Sequence, residues 1–221
     1  MDVNADSLSA SGPPPPQRYR SPLRAERAAD TRHRIAAAAL ELFTSHGFGG
    51  TTIAAIAERA GVAPQTVYAT FGTKAAILRA LLERMEDDAG AAQWRDHIAA
   101  ADDPAAKLEA FAYWSASMFA TSKAIVAAAQ GAIGDPAIVD LRDEGNRRRR
   151  QGVTALVDSL ADRGALATGL TRQQAVDRAW MLTGIELYLA ATDGCGWTDT
   201  DYARWLASLL VHQLLAVPPH T

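Results

Sequence analysis

Apolar residues recur along this chain at intervals of three and four and nowhere alternate over the length of a strand. That period gathers them on one face of a helix, so the pattern predicts an all-α protein. Ile35, Ala39, Leu42 and Phe43 share a face of a helix that opens near Thr31 and is ended by Gly47. Thr51 or Thr52 caps a short helix running to about Arg59, with Ile53, Ile56 and Ala57 inward, and Gly61 breaks it. A second short helix runs from Ala63 to about Thr70, with Pro64 in its first turn, where a missing N–H costs nothing. Phe71-Gly72 stops it, and Thr73 caps a longer helix striped by Ile77, Leu78, Leu81, Leu82 and Met85. Beyond residue 90 five more helices are expected, punctuated by Asp102-Asp103-Pro104, Gly134-Asp135-Pro136, Arg163-Gly164 and Gly194-Cys195-Gly196. One carries Leu108, Phe111, Trp114 and Met118, a shorter one crosses Ile125 and Val126, and a long one runs from Ala137 to about Asp162. The last two span Thr171 to Thr192, apolar on more than one face, and Thr198 to Ala216. About nine helices result.

Composition agrees: 47 of the 221 residues are Ala, which loses little on entering a helix. Residues 1–28 are rich in Pro, Ser and Arg without helical period and are expected to form a disordered arm. Residues 29–89 and 90–217 then divide into two helical domains. No apolar run reaches the roughly 18 to 20 residues that span a bilayer, and no signal segment opens the chain, so a soluble cytoplasmic protein without a membrane partner is expected. The single cysteine, Cys195, cannot close a disulfide within the chain, and the five histidines lack ligand spacing, so no metal or cofactor is expected. Hydrolase and nucleotide-binding motifs are missing, which argues against an enzyme.

Net charge is −3, but its distribution matters more than its sum. Between Arg18 and Arg79 nine basic residues face four acidic ones; from Ala80 onward thirteen basic residues face nineteen acidic ones. One third of the chain is therefore suited to a polyanion and the rest is not.

Within that basic third, Ile53 to Phe71 has the layout of a helix-turn-helix. Ala57 supplies the small residue two steeply crossed helices need, and Gly61, four positions on, tolerates the positive φ of their turn. Ile56, Val62 and Val67 face the core, leaving Gln65, Thr66, Tyr68 and Ala69 outward, small or hydrogen-bonding groups suited to a major groove. Arg34-Ile35 through Leu42-Phe43, Gly47-Phe48, Thr51-Thr52, Ile56-Ala57, Ala60-Gly61-Val62, Thr66-Val67-Tyr68, Phe71 and Lys74 resemble the signature of the TetR family of transcriptional regulators. The resemblance covers about residues 29 to 89. A looser one, through Arg163-Gly164-Ala165-Leu166, Gly169-Leu170, Ala175, Trp180, Glu186-Leu187-Tyr188 and Gly196-Trp197-Thr198, is to ligand-binding domains of one branch of that family.

The resemblance implies a homodimeric repressor whose third helix enters the major groove of a palindromic operator in double-stranded DNA, and which a small-molecule effector releases. Gln65 is expected to pair with adenine and Thr66 to touch a thymine methyl. Thr51 and Tyr68 would bond phosphates, Lys74 would add charge at a helix N-terminus, Ala63 and Pro64 would shape the approach, and Thr52 is counted among the DNA-binding residues. Thr70 stands where many members have a His that contacts the backbone. The arm's Arg18, Arg20, Arg24 and Arg27 suit either a minor groove or a solvated tail. Arg147 to Arg150 spread over every face of their helix; acid pairing, an anionic ligand and a partner subunit are all open to them. Tyr113, Trp114, Met118, Trp180, Met181 and Tyr188 are candidate walls of an effector pocket, which suggests a bulky, largely apolar ligand. Leu206, Leu209, Leu210 and Leu214 are the expected dimer interface. An activator, a regulator tuned by a protein partner and a helical carrier or enzyme are the alternatives.

Overall fold

The computed structural model describes residues 22–130 and 134–216. Among them are ten α-helices, one π-helical turn and no strand. Helix α1 (Pro22–Gly50) bends at Gly47, whose φ of 73° no β-carbon favours. Its first residues lie in the segment expected to be a disordered arm. Arg24, Ala25, Glu26, Arg27, Ala28 and Ala29 are strong helix formers, and they extend the helix fully exposed. Residues that pack on nothing carry no apolar period, so that extension is invisible to a reading based on one. Residues 1–21, with Arg18 and Arg20, lie outside the described residues.

Helices α2 (Ile53–Ala60), α3 (Pro64–Phe71) and α4 (Lys74–Asp88) follow in short steps. Thr52, of the two threonines, caps α2 by accepting the Ala55 N–H at 3.1 Å, and Thr73 caps α4 by accepting that of Ala76 at 3.1 Å. Helix α5 (Ala91–Ala100) starts after Gly90 and had no counterpart in the expected elements. Helix α6 (Pro104–Gln130) is continuous where two helices were expected. The polar side chains at its middle are accommodated within it: Thr121 donates to the Ser117 carbonyl and Ser122 to that of Met118, both at 2.8 Å.

Helix α7 (Pro136–Ala161) is capped by Asp135. The expected single helix from Thr171 is α8 (Arg172–Leu182), a break at Gly184 in extended conformation, α9 (Ile185–Leu189) and the π-turn Ala190–Gly194. Helix α10 (Asp199–Leu214) closes the described chain, and Leu215 beyond it pairs with Leu166 in an isolated bridge.

Two apolar cores form. One joins α1 to α4 through Ile35, Phe43, Phe48, Ile56, Val67, Ile77 and Leu78. It also takes in Ile125 and Ala128 from the end of α6 and Ile138 and Leu141 from the start of α7. The second packs α6, α7, α8 and α10 around Leu108, Val153, Leu160, Tyr188, Tyr202 and Leu206. The division of the chain near residue 90 is therefore not a division of its packing: α6 and α7 have one end in each core.

Candidate nucleic-acid interface

The turn between α2 and α3 is fixed by its backbone. Gly61 adopts φ 64°, ψ 41°, its N–H bonds the Glu58 carbonyl at 3.1 Å, and the Val62 N–H returns to Ala57 at 3.0 Å. Arg34 reaches from α1 and donates to the carbonyls of Ala60 (2.5 Å) and Gly61 (3.1 Å), completing the end of α2. Glu41 of α1 and Arg59 of α2 form a two-oxygen ion pair at 3.0 Å on the surface. Arg32 lies 4.3 Å over the Phe71 ring and donates to the Thr70 carbonyl at 3.3 Å. Arginines on α1 thus hold the ends of both helices. Sequence reading missed these roles, because a guanidinium 26 to 38 residues from its partner carries no local signal.

Helix α3 turns Val67 into the core and leaves Ala63, Pro64, Gln65, Tyr68 and Ala69 exposed, with Thr66 half-buried. Tyr68 keeps 51% of its surface in solvent, unusual for an aromatic residue on a packed helix. The exposed face is the one expected from the spacing.

Three expected contacts are corrected by the geometry. Thr51 is buried, and its hydroxyl donates to the carbonyls of Gly47 (2.8 Å) and Leu42 (3.1 Å), bracing the bend of α1. Lys74 turns inward: its ammonium donates to the carbonyls of Phe48 (2.6 Å) and Thr51 (2.8 Å) and lies 4.3 Å over the Phe48 ring. Partial burial pushes its pKa down. Thr70 spends its one hydroxyl hydrogen on the Thr66 carbonyl at 2.7 Å. All three hold the domain together: the hydroxyl hydrogens of Thr51 and Thr70 are spent inside it, and Lys74 commits two of its three ammonium hydrogens to backbone carbonyls. Thr52 remains exposed, with its oxygen engaged as a cap and its hydroxyl hydrogen free to donate.

Residues 35–81 match the profile of the bacterial regulatory proteins of the tetR family. Over residues 35–81 this is a TetR-type domain. The TetR-type domain is also the part shared with curated relatives: the chain is 37% identical over 78 residues to the HTH-type transcriptional regulator TtgR of Pseudomonas putida, covering 35% of this chain and 34% of that one. The chain thus matches about a third of the length of its curated relatives. Structural likeness extends further. NalD, the secondary repressor of the MexAB-OprM multidrug efflux pump in Pseudomonas aeruginosa, has a TM-score of 0.68 at 21% identity, covering 86% of this chain and 98% of that one. The SmeT–triclosan complex has a TM-score of 0.68 at 18% identity, covering 86% and 96%. At such identity the likeness is one of fold.

Behind the TetR-type domain, the candidate pocket residues separate. Tyr113, Trp114, Met118 and Trp180 are half-buried against the second core. Met181 is 61% exposed, which does not fit the wall of an enclosed pocket. Tyr188 is fully buried between Phe119 and Tyr202, and its hydroxyl donates to Asp199 at 2.5 Å, which makes it core. Burial, reinforced by that carboxylate, pushes its pKa up. An open groove of about 880 Å³ lies elsewhere, between Pro104, Ala105, Ala165, Ala207 and Val211.

The expected interface is corrected as well. Leu206, Leu210 and Leu214 are fully buried within one chain, where they fill the seam against α6 and α8. Leu209 is half-exposed, and Trp205, one turn before it, is 37% exposed. Trp197 stacks edge-on to Trp205 at 5.7 Å and is 38% exposed.

Proposed function

We propose that this protein is a homodimeric transcriptional repressor that reads an inverted-repeat operator through α3 and is released by a small-molecule effector. The observation that carries the reading is the outward face of α3: Gln65, Thr66 and Tyr68 stand on a short helix whose other side is locked into the core. Gln65 pairs with a base, Thr66 touches a methyl, Tyr68 and Thr52 bond phosphates, and Ala63 and Pro64 let the backbone approach. Met181, Trp197, Trp205 and Leu209 supply an apolar surface for a second copy, replacing the buried leucines. One protein of similar fold, SmeT, forms a complex with triclosan and another, NalD, is the secondary repressor of a multidrug efflux pump, which supports a bulky, largely apolar effector here.

Release works through the elements that reach both cores. Helix α4 is tied to the sensor by Arg148 and Glu86 (3.7 Å) and to α1 by Arg84, which donates to His33 at 2.8 Å. The ends of α6 and α7 sit inside the DNA-binding core. A ligand that shifts these helices changes the separation of two recognition helices, which must match half-sites roughly 34–36 Å apart. The mass of the complex on a selected operator tests the assembly. Two chains per operator are expected, and Trp205→Asp should weaken both self-association and operator binding. One chain per operator would overturn the dimer.

A further inference from the structure

Helix α7 carries five arginines, and four of them end on carboxylates. Arg142 meets Asp143 (3.3 Å), Arg147 meets Glu144 (2.7 Å), Arg148 meets Glu144 and Glu86 (3.5 and 3.7 Å) and Arg150 meets Asp177 (2.7 Å). Arg149 differs. It is half-buried against the second core, its guanidinium 4.5 Å over the Trp180 ring, and one of its terminal nitrogens donates to the Trp180 carbonyl (2.7 Å) and the Thr183 hydroxyl (3.4 Å). Among the described residues no carboxylate comes within 4.0 Å of it. Glu186, the carboxylate whose field reaches it, is solvent-exposed. A guanidinium stays charged at any physiological pH, so partial burial without a counter-ion is costly.

The same core holds three donors that have no partner in the protein: the indole N–H groups of Trp114 and Trp180 and the hydroxyl of Tyr202. Buried polar groups are nearly always paired, so three in one core call for an explanation. Tyr202 is fully buried on α10, edge-on to Tyr188 at 5.2 Å, and near enough for the Arg149 charge to act on its hydroxyl. A cation stacked on one of these indoles, at the edge of a core whose other unused donors are Trp114 and Tyr202, matches an anion that accepts hydrogen bonds.

We propose that this cluster holds a carboxylate of the effector, with Arg149 and Tyr202 as its anchors. The inference rests on the effector-released reading above and narrows it: the ligand is an amphipathic acid whose apolar body packs against Tyr113, Trp114, Met118 and Trp180.

Matched pairs test it. Decanoate and decanol, and 2-naphthoate and 2-naphthylmethanol, share their apolar bodies and differ in the anion. Each is titrated into the full chain at neutral pH, with tryptophan fluorescence and thermal shift as readouts. At least one acid should bind about tenfold tighter than its alcohol, a difference of about 1.4 kcal/mol. Arg149→Gln and Tyr202→Phe should each erase that preference and leave the alcohol's affinity in place, and Arg149→Lys should restore part of it. Tyr202→Phe removes a hydroxyl that bonds nothing in the protein, so a purely structural role predicts no change in binding. Alcohols that bind as well as acids, acids that do not bind, or a preference that survives both substitutions would overturn the proposal. Operator binding by the same preparations without added acid reads the repressor assignment separately.

Discussion

Replacing Lys74 by Met keeps the aliphatic stem and removes the charge, which separates two roles for this side chain. Its ammonium bonds the carbonyls of Phe48 and Thr51 at 2.6 and 2.8 Å, tying the start of α4 to the bend between α1 and α2. Hydrogen bonds from a charged donor contribute roughly 1.5–3 kcal/mol each, and the position over the Phe48 ring adds about 0.5–1 kcal/mol. Desolvation of the ammonium offsets part of this, as its lowered pKa indicates, and the half-exposed side chain screens some of the rest. A net loss of about 2–3 kcal/mol is expected, or roughly 5–10 °C in Tm for a protein of this size. A phosphate contact would behave differently. Its loss would leave stability alone and flatten the dependence of log affinity on log salt by about 0.9. Thermal unfolding of Lys74→Met, paired with operator titrations at several salt concentrations well below its Tm, distinguishes the two. Unchanged stability with a flatter salt slope would refute the structural role.

Gly61→Ala places a β-carbon at φ 64°, 3.0 Å from the Arg34 guanidinium, and should cost about 1–2 kcal/mol or more in chemical denaturation. An unchanged midpoint would mean that the turn relaxes. Thr51→Val keeps the shape and loses the bonds to Leu42 and Gly47; a cost of about 1–2 kcal/mol with unaltered operator affinity is expected. Tyr202 is pushed up to about 12 by burial, and Tyr188 is raised too. A raised pKa gives stability that is present below pH 10 and is lost as pH climbs toward the folded-state value. Urea titrations across that window should show a fall to which Tyr202 contributes about 2–3 kcal/mol, and Tyr202→Phe should lessen it. A flat profile would contradict the burial of these hydroxyls.

The helix-turn-helix was legible because its signals are local: Ala57, Gly61, Pro64 and Val67 act within a few residues of one another. The outward face of α3 followed from the same spacing. What could not be read were interactions across long sequence separations. Arg32 and Arg34 cap helices from α1, and Lys74 turns away from the surface because Phe48 and two carbonyls are waiting for it. Thr51 and Thr52 look interchangeable in sequence, yet one braces the bend of α1 and the other caps α2. In the C-terminal half the period marked Leu206, Leu210 and Leu214 correctly as apolar. It could not say whether their partner was the same chain or another, since burial against either leaves the same pattern.

Selection of fragments from sheared genomic DNA by the purified protein, with Gln65→Ala in parallel and at two salt concentrations, tests the central claim most directly. The wild type should recover a short inverted repeat, and the substitution should cost about 1–3 kcal/mol of discrimination at one base position in each half-site. Higher salt should weaken every recovered site. Fragments without a shared sequence, or the same repeat recovered equally well by Gln65→Ala, would contradict the assignment of α3 as the element that reads DNA.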